Sequence, residues 1–349
     1  ISLLFILSAI QVITFVLLGN YILEIDGLTS EYWLILFSTA CFANLLGLNI
    51  SAGLKTQVAI YVLIPFLLIP QILLSGTIVK FDKLHGALTS ELYPPVVADI
   101  MPSRWAFEAM AVAQFRDNAY ESRVYQIEQN ESHLSYKLNY YLPELISRID
   151  QCHTYMIRSS ENETRLIDNL LLMRNEFNKL EKEIQRPLPV QMNQLSTANL
   201  SEKHLNKLET YVNEAREAFG NRLDQVLYKK DQVIAQESEK LSPEQSWSDL
   251  KRANFNYALA DMVKRKDNPQ KVIENDYQLF RKFEPIYKYP VLKNGRAEFY
   301  SPYKRVGNVF FDTVYFNIAI IWIFIMVLYI TLYINLLDKI LRALSIKKL

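Results

Sequence analysis

The sequence has few of the residues on which metal sites and disulfide frameworks depend. It contains only two cysteines and four histidines among 349 residues. Cys41 lies in an apolar run and Cys152 in a polar one, so they are not expected to pair. The histidines show no metal-ligand spacing; they are His85, His133, His153 and His204. We therefore predict neither a metal site nor a disulfide.

The chain also lacks the motifs of nucleotide and nucleic-acid chemistry. No Gly-x-x-x-x-Gly-Lys-Ser/Thr loop occurs, so the chain does not itself cradle ATP phosphates. No nucleophile and base stand in a recognisable pattern, and a net charge of +1 gives no reason to expect nucleic acid. The first residue is Ile1, not Met, so we expect further sequence upstream. No cofactor is predicted in this chain, and its enzymatic status stays open.

Long apolar runs are abundant, and they predict a membrane protein. A helix needs about 20 predominantly apolar residues to cross a bilayer. Four runs meet that length, at Ile1–Leu23, Trp33–Leu54, Val58–Val79 and Val309–Leu337. Residues 1–79 therefore hold three predicted transmembrane helices, residues 309–337 hold the last, and residues 338–349 form a basic tail.

The basic residues near the ends of these runs give a weak orientation. Lys55 and Lys339 lie on one side with the rest of the basic tail, and Lys80 and Lys304 lie on the other. We place both chain ends in the cytoplasm. The block between the third and fourth spans then lies outside, in the periplasm of a bacterial inner membrane.

That outer block divides into an outer loop, residues 80–115, and a large insert, residues 116–308, that is predicted to be helical. Its apolar residues recur in heptad-like seams between Leu166 and Ile184 and between Leu205 and Val226. Pro187 and Pro189 separate the two seams, which predicts an antiparallel coiled-coil hairpin. Further helix starts are predicted at Ser242–Gln245 and Asn268-Pro269, with Pro285 closing the last helix. No strand pattern is evident, so the predicted fold class is all-α.

Two stretches carry a family resemblance. In "LLGLNISAGLKTQVAIYVLIPFLLIPQILLSGTIVKFD", residues 45–82, a Gly-x-x-[IL]-[SA]-A pattern precedes a span with Pro70-Gln71 and Ser75-Gly76. "MPSRWAFEAMAVAQF", residues 101–115, matches an outer-loop stretch centred on Arg-Trp-Ala-Phe-Glu. Together they resemble the membrane domain of G-type ABC half-transporters. The resemblance covers residues 1–115 and 309–349, and it omits the insert.

The resemblance implies a function and a set of site residues. A G-type permease works as a homodimer, or with a related half-transporter, and ATP and Mg²⁺ bind a nucleotide-binding domain outside this chain. Matching from Ser75-Gly76 places Leu68 and Ile72 on the substrate path, with Thr77 and Ile78 at the apolar plug above it. Arg104, Trp105 and Glu108 then lie on a short re-entrant helix. An apolar path implies export of an amphipathic or lipid-like substrate.

Several alternatives stay open at this point. Arg104 and Glu108, four residues apart, form either a plain helix-face ion pair or part of a coupling device. Asn44 and Asn49 are expected to hydrogen-bond a neighbouring helix more often than substrate. For the whole chain, one alternative is a non-transporting mechanotransmission protein that acts through its periplasmic helices on a protein partner. Another is a structural envelope anchor.

Overall fold

The computed structural model describes residues 1–54, 56–79, 81, 92–157, 163–266 and 268–340. The chain forms two compact units. The first unit comprises Ile1–Arg123, Pro243–Lys264 and Lys288–Leu349, and the second comprises Val124–Ser242 and Arg265–Tyr287. Most of the predicted basic tail, from residue 341 on, lies outside the described residues, as do residues 80 and 82–91 of the predicted outer loop.

The regular elements of the described residues are mostly helices, together with two short β-hairpins. In chain order they are α1 (Ser2–Leu23), α2 (Thr29–Gly53), α3 (Gln57–Leu73), α4 (Pro102–Arg116), α5 (Glu121–Tyr136), α6 (Leu142–Ile157), α7 (Glu163–Ile184), α8 (Glu202–Glu239), α9 (Trp247–Asn254), α10 (Tyr257–Lys264), β1 (Val272–Asn275), β2 (Gln278–Arg281), β3 (Tyr303–Val306), β4 (Val309–Asp312) and α11 (Thr313–Tyr333). A π-helical turn, Lys137–Tyr141, joins α5 to α6.

Three helices of the described chain are long and apolar enough to cross a membrane: α1, α2 and α11. The predicted last span, Val309–Leu337, begins later than expected, because Val309–Asp312 forms a strand and Asp312 caps α11. The predicted third span, Val58–Val79, overlaps the 17-residue helix α3, which begins at Gln57 and is followed by turns from Leu74 to Val79. The sequence places the start of the last span too early because Val309, Phe310 and Phe311 are apolar, and an apolar run of three residues fits a strand as well as a helix.

Hydrogen bonds between helices show the relative directions of α1, α2 and α11 in the first unit. Asn44 Nδ2 donates to Ser8 Oγ at 2.8 Å, and Asn20 Nδ2 donates to Thr29 Oγ1 at 3.0 Å, so α1 and α2 are antiparallel. Trp322 Nε1 donates to Ser38 Oγ at 3.0 Å. Farther along both helices, Asn49 Nδ2 donates to the Leu328 carbonyl at 2.9 Å. Helices α2 and α11 are therefore parallel, and the prediction that Asn44 and Asn49 bond neighbouring helices is confirmed.

The second unit has one apolar core, built from both predicted seams. The first seam contributes Leu166, Leu170, Met173, Phe177, Leu180 and Ile184, and the second contributes Leu205, Leu208, Val212, Ala215 and Phe219. The helix α6 adds Leu145, Ile149 and Cys152, each fully buried. Because α6 packs against α7 and α8 more extensively than these two pack against each other, the core is a three-helix arrangement and not a simple two-helix hairpin.

Parts of the predicted insert are not helical, so the all-α prediction is wrong in detail. Strands β1 and β2 pair antiparallel where a helix was expected after Asn268-Pro269, and Pro285 follows strand β2. The predicted helix start at Ser242 is also displaced. Helix α9 begins after Ser246, whose Oγ accepts from the Asp249 N–H at 3.2 Å while the Asp249 carboxylate accepts from the Ser246 N–H at 3.1 Å. Residues 116–308 are divided between the two units.

Candidate functional site

The sequence places small and charged residues together on α4, and most of them are buried. Pro102 occupies the first turn of the helix, where its missing N–H costs nothing. Alanines at positions 106, 109, 111 and 113 are buried and leave room for close approach of neighbouring helices. The helix packs against α2 and α11, so it lies inside the first unit although it is too short to be a membrane span.

The three predicted residues of this helix come together in a buried polar cluster. Arg104 is 2% exposed, Trp105 is 6% exposed and Glu108 is 0% exposed. The Arg104 guanidinium lies 4.0 Å from the centre of the Trp105 ring, and its Nη2 is 3.7 Å from Glu108 Oε2. The indole N–H of Trp105 donates to the Asp99 carbonyl at 2.8 Å.

Glu108 is the centre of this cluster. Lys304, on strand β3, places its Nζ 2.7 Å from Glu108 Oε1 and is itself 0% exposed. Asn317, on α11, donates from Nδ2 to Glu108 Oε2 at 3.0 Å and to the Trp105 carbonyl at 3.0 Å. The Tyr300 N–H donates to Glu108 Oε1 at 3.2 Å. One carboxylate thus joins α4, the β3–β4 hairpin and α11.

The protonation states of Glu108 and Lys304 follow from their burial and their mutual attraction. Burial alone would raise the pKa of Glu108, but Lys304 and Arg104 hold that pKa below its usual range. Burial lowers the pKa of Lys304 to about 8, against the opposing attraction of Glu108. At neutral pH the pair is therefore ionised. A buried ion pair of this kind fixes a geometry, and its net contribution to stability depends on complete pairing.

Three further ion pairs extend the connection to both ends of α4. Near its N-terminus, Asp99 Oδ1 lies 3.6 Å from Arg104 Nη1, and Asp99 Oδ2 lies 2.9 Å from Arg296 Nε. At its C-terminus, Arg116 Nη1 lies 2.6 Å from Asp312 Oδ2. Because Asp312 also caps α11 by accepting from the Val314 N–H at 2.8 Å, the end of α4 is tied directly to the start of α11.

The residues predicted for the substrate path lie on and beyond α3. Leu68 and Ile72 are 50% and 48% exposed, and no side chain of α3, a helix described throughout, is buried. Thr77 and Ile78 lie past the end of the helix, in the turn that follows Gly76. Ser103 of α4 donates from Oγ to the Gln71 carbonyl at 2.7 Å, which connects this segment to the cluster-bearing helix.

Lys304 and Asn317 were not identified from the sequence as site residues. Asn317 carries a signal that could have been used, because an amide inside an apolar run needs a protein partner. Lys304 carries no such sequence signal, since a single lysine near the end of a span is common in membrane proteins. In the part of the chain that the structure describes, no group of three His, Cys, Asp or Glu side chains forms a metal site.

Comparison with protein families gives one match. Residues 1–115 match the family model of the ABC-2 type transporter, a stretch that covers α1, α2, α3 and nearly all of α4. The comparisons with curated proteins and with solved structures gave no match. ABC-2 membrane domains generally pair with an ABC ATPase and act as dimers. The match, together with the three long apolar helices, indicates a membrane protein whose residues 1–115 are similar to the membrane domain of ABC-2 type transporters.

Proposed function

We propose that this chain is the permease part of an ATP-driven, G-type ABC exporter. It moves an amphipathic or lipid-like substrate out of the cytoplasm or the inner leaflet. The observation that carries the proposal is the ABC-2 match at residues 1–115. We further propose that ATP and Mg²⁺ bind a nucleotide-binding domain outside these 349 residues.

The proposed permease has four spans, with α3 as the third. The chain leaves α2 at one end of the α2–α11 pair and enters α11 at the opposite end, because these helices are parallel. An odd number of crossings must lie between them, and α3 is the apolar helix available for it in the described chain. At about 1.5 Å per residue its length falls slightly short of the roughly 30 Å hydrocarbon core, a mismatch that membranes accommodate.

This topology is testable with single cysteines, because both native cysteines are buried. The proposal puts Thr56 and Lys339 in the cytoplasm and Lys182, of the second unit, in the periplasm. Cysteine at position 182 should react with a membrane-impermeant maleimide in cells with a permeabilised outer membrane. Cysteines at 56 and 339 should react only after the inner membrane is opened. Labelling of 56 or 339 in intact inner membranes would exclude the arrangement.

The proposed substrate path runs along α3 at the axis of a dimer. Leu68 and Ile72 are four residues apart, so they share a face of the helix. We assign them to the path, with Thr77 and Ile78 at its outer end. Phe66 lies two residues from Leu68 on the opposite face and is 72% exposed, which makes it a matched control.

A crosslinking experiment tests this path. Cysteine at 68 or 72 should crosslink between protomers in native membranes under mild oxidation, and nucleotide should change the yield. Cysteine at 66 should crosslink poorly. Equal crosslinking at all three positions would contradict the assignment of Leu68 and Ile72 to the substrate path.

A second function, mechanotransmission, is favoured by the second unit. That unit has its own large apolar core and its own elements, as a domain that acts on a periplasmic partner would need. In this alternative, ATP hydrolysis moves the second unit and no substrate crosses. The two functions differ in whether ATP drives net movement of a lipid-like molecule.

A further inference from the structure

The β3–β4 hairpin has an unusual tip. Val306 and Val309 face each other across a two-residue turn, Gly307-Asn308, in which Gly307 has φ +60°, as a type II′ turn requires. The residues beside the turn are apolar and exposed: Val306 45%, Val309 57%, Phe310 46% and Phe311 44%. Exposed apolar side chains therefore flank the turn on both strands.

One face of this tip exposes only apolar side chains. The register pairs Lys304 with Phe311 and Arg305 with Phe310. Because cross-strand partners share a face, Val306, Val309 and Phe311 lie on one face with the buried Lys304, and Phe310 lies on the other with Arg305. A hairpin that meets water on one side normally alternates apolar and polar residues. The face with Val306, Val309 and Phe311 exposes no polar side chain, so water is a poor surrounding for it.

An aromatic group widens the same surface. Tyr289 is 59% exposed and stacks on Tyr303, with ring centres 5.5 Å apart. It also meets the Phe310 ring edge-on at 5.8 Å. The Arg305 guanidinium lies 5.2 Å from the centre of the Phe310 ring. Aromatic rings flanked by a cation are the groups that proteins concentrate at the boundary between lipid and water.

The chain places this tip next to the membrane. Strand β4 continues into α11 without a linker, since Asp312 is both the last strand residue and the helix cap. At about 3.3 Å per residue, four strand residues extend roughly 13 Å at most from the start of the span. Tyr315, in the first turn of α11, is 61% exposed. The apolar tip is thus continuous with the outer surface of a candidate membrane span.

We propose that the β3–β4 hairpin is an interfacial membrane anchor, with Val306, Val309, Phe310 and Phe311 seated at the boundary of phospholipid headgroups and acyl chains. The same strand carries Lys304, which is bonded to Glu108 on α4. The anchor would therefore hold the buried cluster at a fixed height relative to the bilayer. The inference requires only that α11 crosses the membrane, and it is independent of what the protein transports.

The test uses spin labels and a matched hairpin. A single cysteine replaces Val306 or Phe310 in the full chain, and another replaces Asn275, which directly precedes the turn of β1–β2 as Val306 precedes that of β3–β4. The tip of β1–β2 carries Asn275, Asp276, Tyr277 and Gln278, and three of these four side chains are polar or charged, so it is suited to water. Labelled protein is placed in phosphatidylcholine nanodiscs. Collision of each label with oxygen and with a water-soluble nickel chelate is measured by power saturation.

The expected result is a reversal of accessibility between the hairpins. Labels at 306 and 310 should collide more with oxygen than with the nickel chelate, and the label at 275 should do the opposite. Chelate access at 306 and 310 equal to that at 275 would place the tip in water and overturn the proposal. Protection of 306 and 310 from both reagents would assign the surface to a second copy of the chain, or to another protein, and would equally overturn it.

Discussion

The buried pair of Glu108 and Lys304 allows a quantitative prediction. In the described residues the cluster holds two anions, Asp99 and Glu108, and three cations, Arg104, Arg296 and Lys304. Replacement of Glu108 by Gln leaves one anion against three cations. Replacement of Lys304 by Met leaves two anions and two cations, and Glu108 keeps its bonds from Asn317 and the Tyr300 N–H. The two single variants are therefore unequal.

Removing one partner of a buried ion pair typically costs about 3–5 kcal/mol, since the other charge is left unpaired. We expect Glu108→Gln to reach that range and Lys304→Met to cost roughly half as much. The double variant, with neither charge, should be more stable than Glu108→Gln alone. For a unit of this size, about 2–4 °C of melting temperature corresponds to each kcal/mol.

A thiol-reactive fluorogenic dye provides the assay. Cys41, in the first unit, and Cys152, in the second, are both 0% exposed, so each reacts only when its unit opens. In a Cys152→Ala background, dye signal reports the first unit alone. A Lys182→Ala variant serves as a control, because this residue is exposed on α7 of the second unit. Equal melting temperatures for Glu108→Gln and Lys304→Met, or a double variant less stable than both, would refute the reasoning.

The remaining predictions use other parts of the structure. Because burial lowers the pKa of Lys304 to about 8, the unfolded chain holds a proton on this side chain between about pH 8 and pH 10 that the folded chain has lost. The free energy of unfolding of the parent, relative to that of Lys304→Met, should therefore rise over that window by at most about 3 kcal/mol. Tryptophan fluorescence measures this difference, and a difference that does not change with pH would contradict the assigned pKa. Phe177→Ala and Ile149→Ala, both at fully buried positions, should each destabilise the second unit by about 2–5 kcal/mol in the dye assay through Cys152; an indifferent Ile149→Ala would argue against the three-helix core. Gly76→Ala should cost about 2 kcal/mol or more, because φ is +85° and a Cβ would lie 2.7 Å from the Phe299 ring; an unchanged melting temperature would show that this turn can rearrange.

Local patterns in the sequence predicted local structure well. The seam from Leu166 to Ile184 repeats over five intervals, and all six of its residues are buried in the core. Helix α6 has Leu145, Ile149 and Cys152 at the same spacing, but the π-helical turn before it interrupts the repeat. Strands of four residues are too short to show an alternating pattern. Val309–Phe311 are all apolar, so the sequence predicts them as part of the last span, whereas they form a strand.

The candidate site was predictable only in part, for a physical reason. Arg104 and Glu108 lie on one helix, so their four-residue spacing predicts that they are neighbours. Lys304 and Asn317 reach Glu108 only after the chain has returned from the second unit, and no local pattern encodes that return. Whether Arg104 and Glu108 form a plain helix-face ion pair or part of a coupling device therefore depends on these distant partners. Because Glu108 bonds Lys304 on β3 and Asn317 on α11 and is fully buried, its pair with Arg104 is not a surface ion pair.

The central claim, transport by an ABC permease, is tested most directly by ATP-dependent movement of a lipid-like probe. The intact protein, with the nucleotide-binding domain that accompanies it, is reconstituted into liposomes that carry a fluorescent short-chain phospholipid in both leaflets. The account predicts that ATP and Mg²⁺ change the fraction of probe accessible to an external quencher, and that bulky charged substitutions at Leu68 and Ile72 abolish this change while ATP hydrolysis continues. A complex that hydrolyses ATP without moving the probe, or any other amphipathic molecule tested, would contradict the account and favour mechanotransmission.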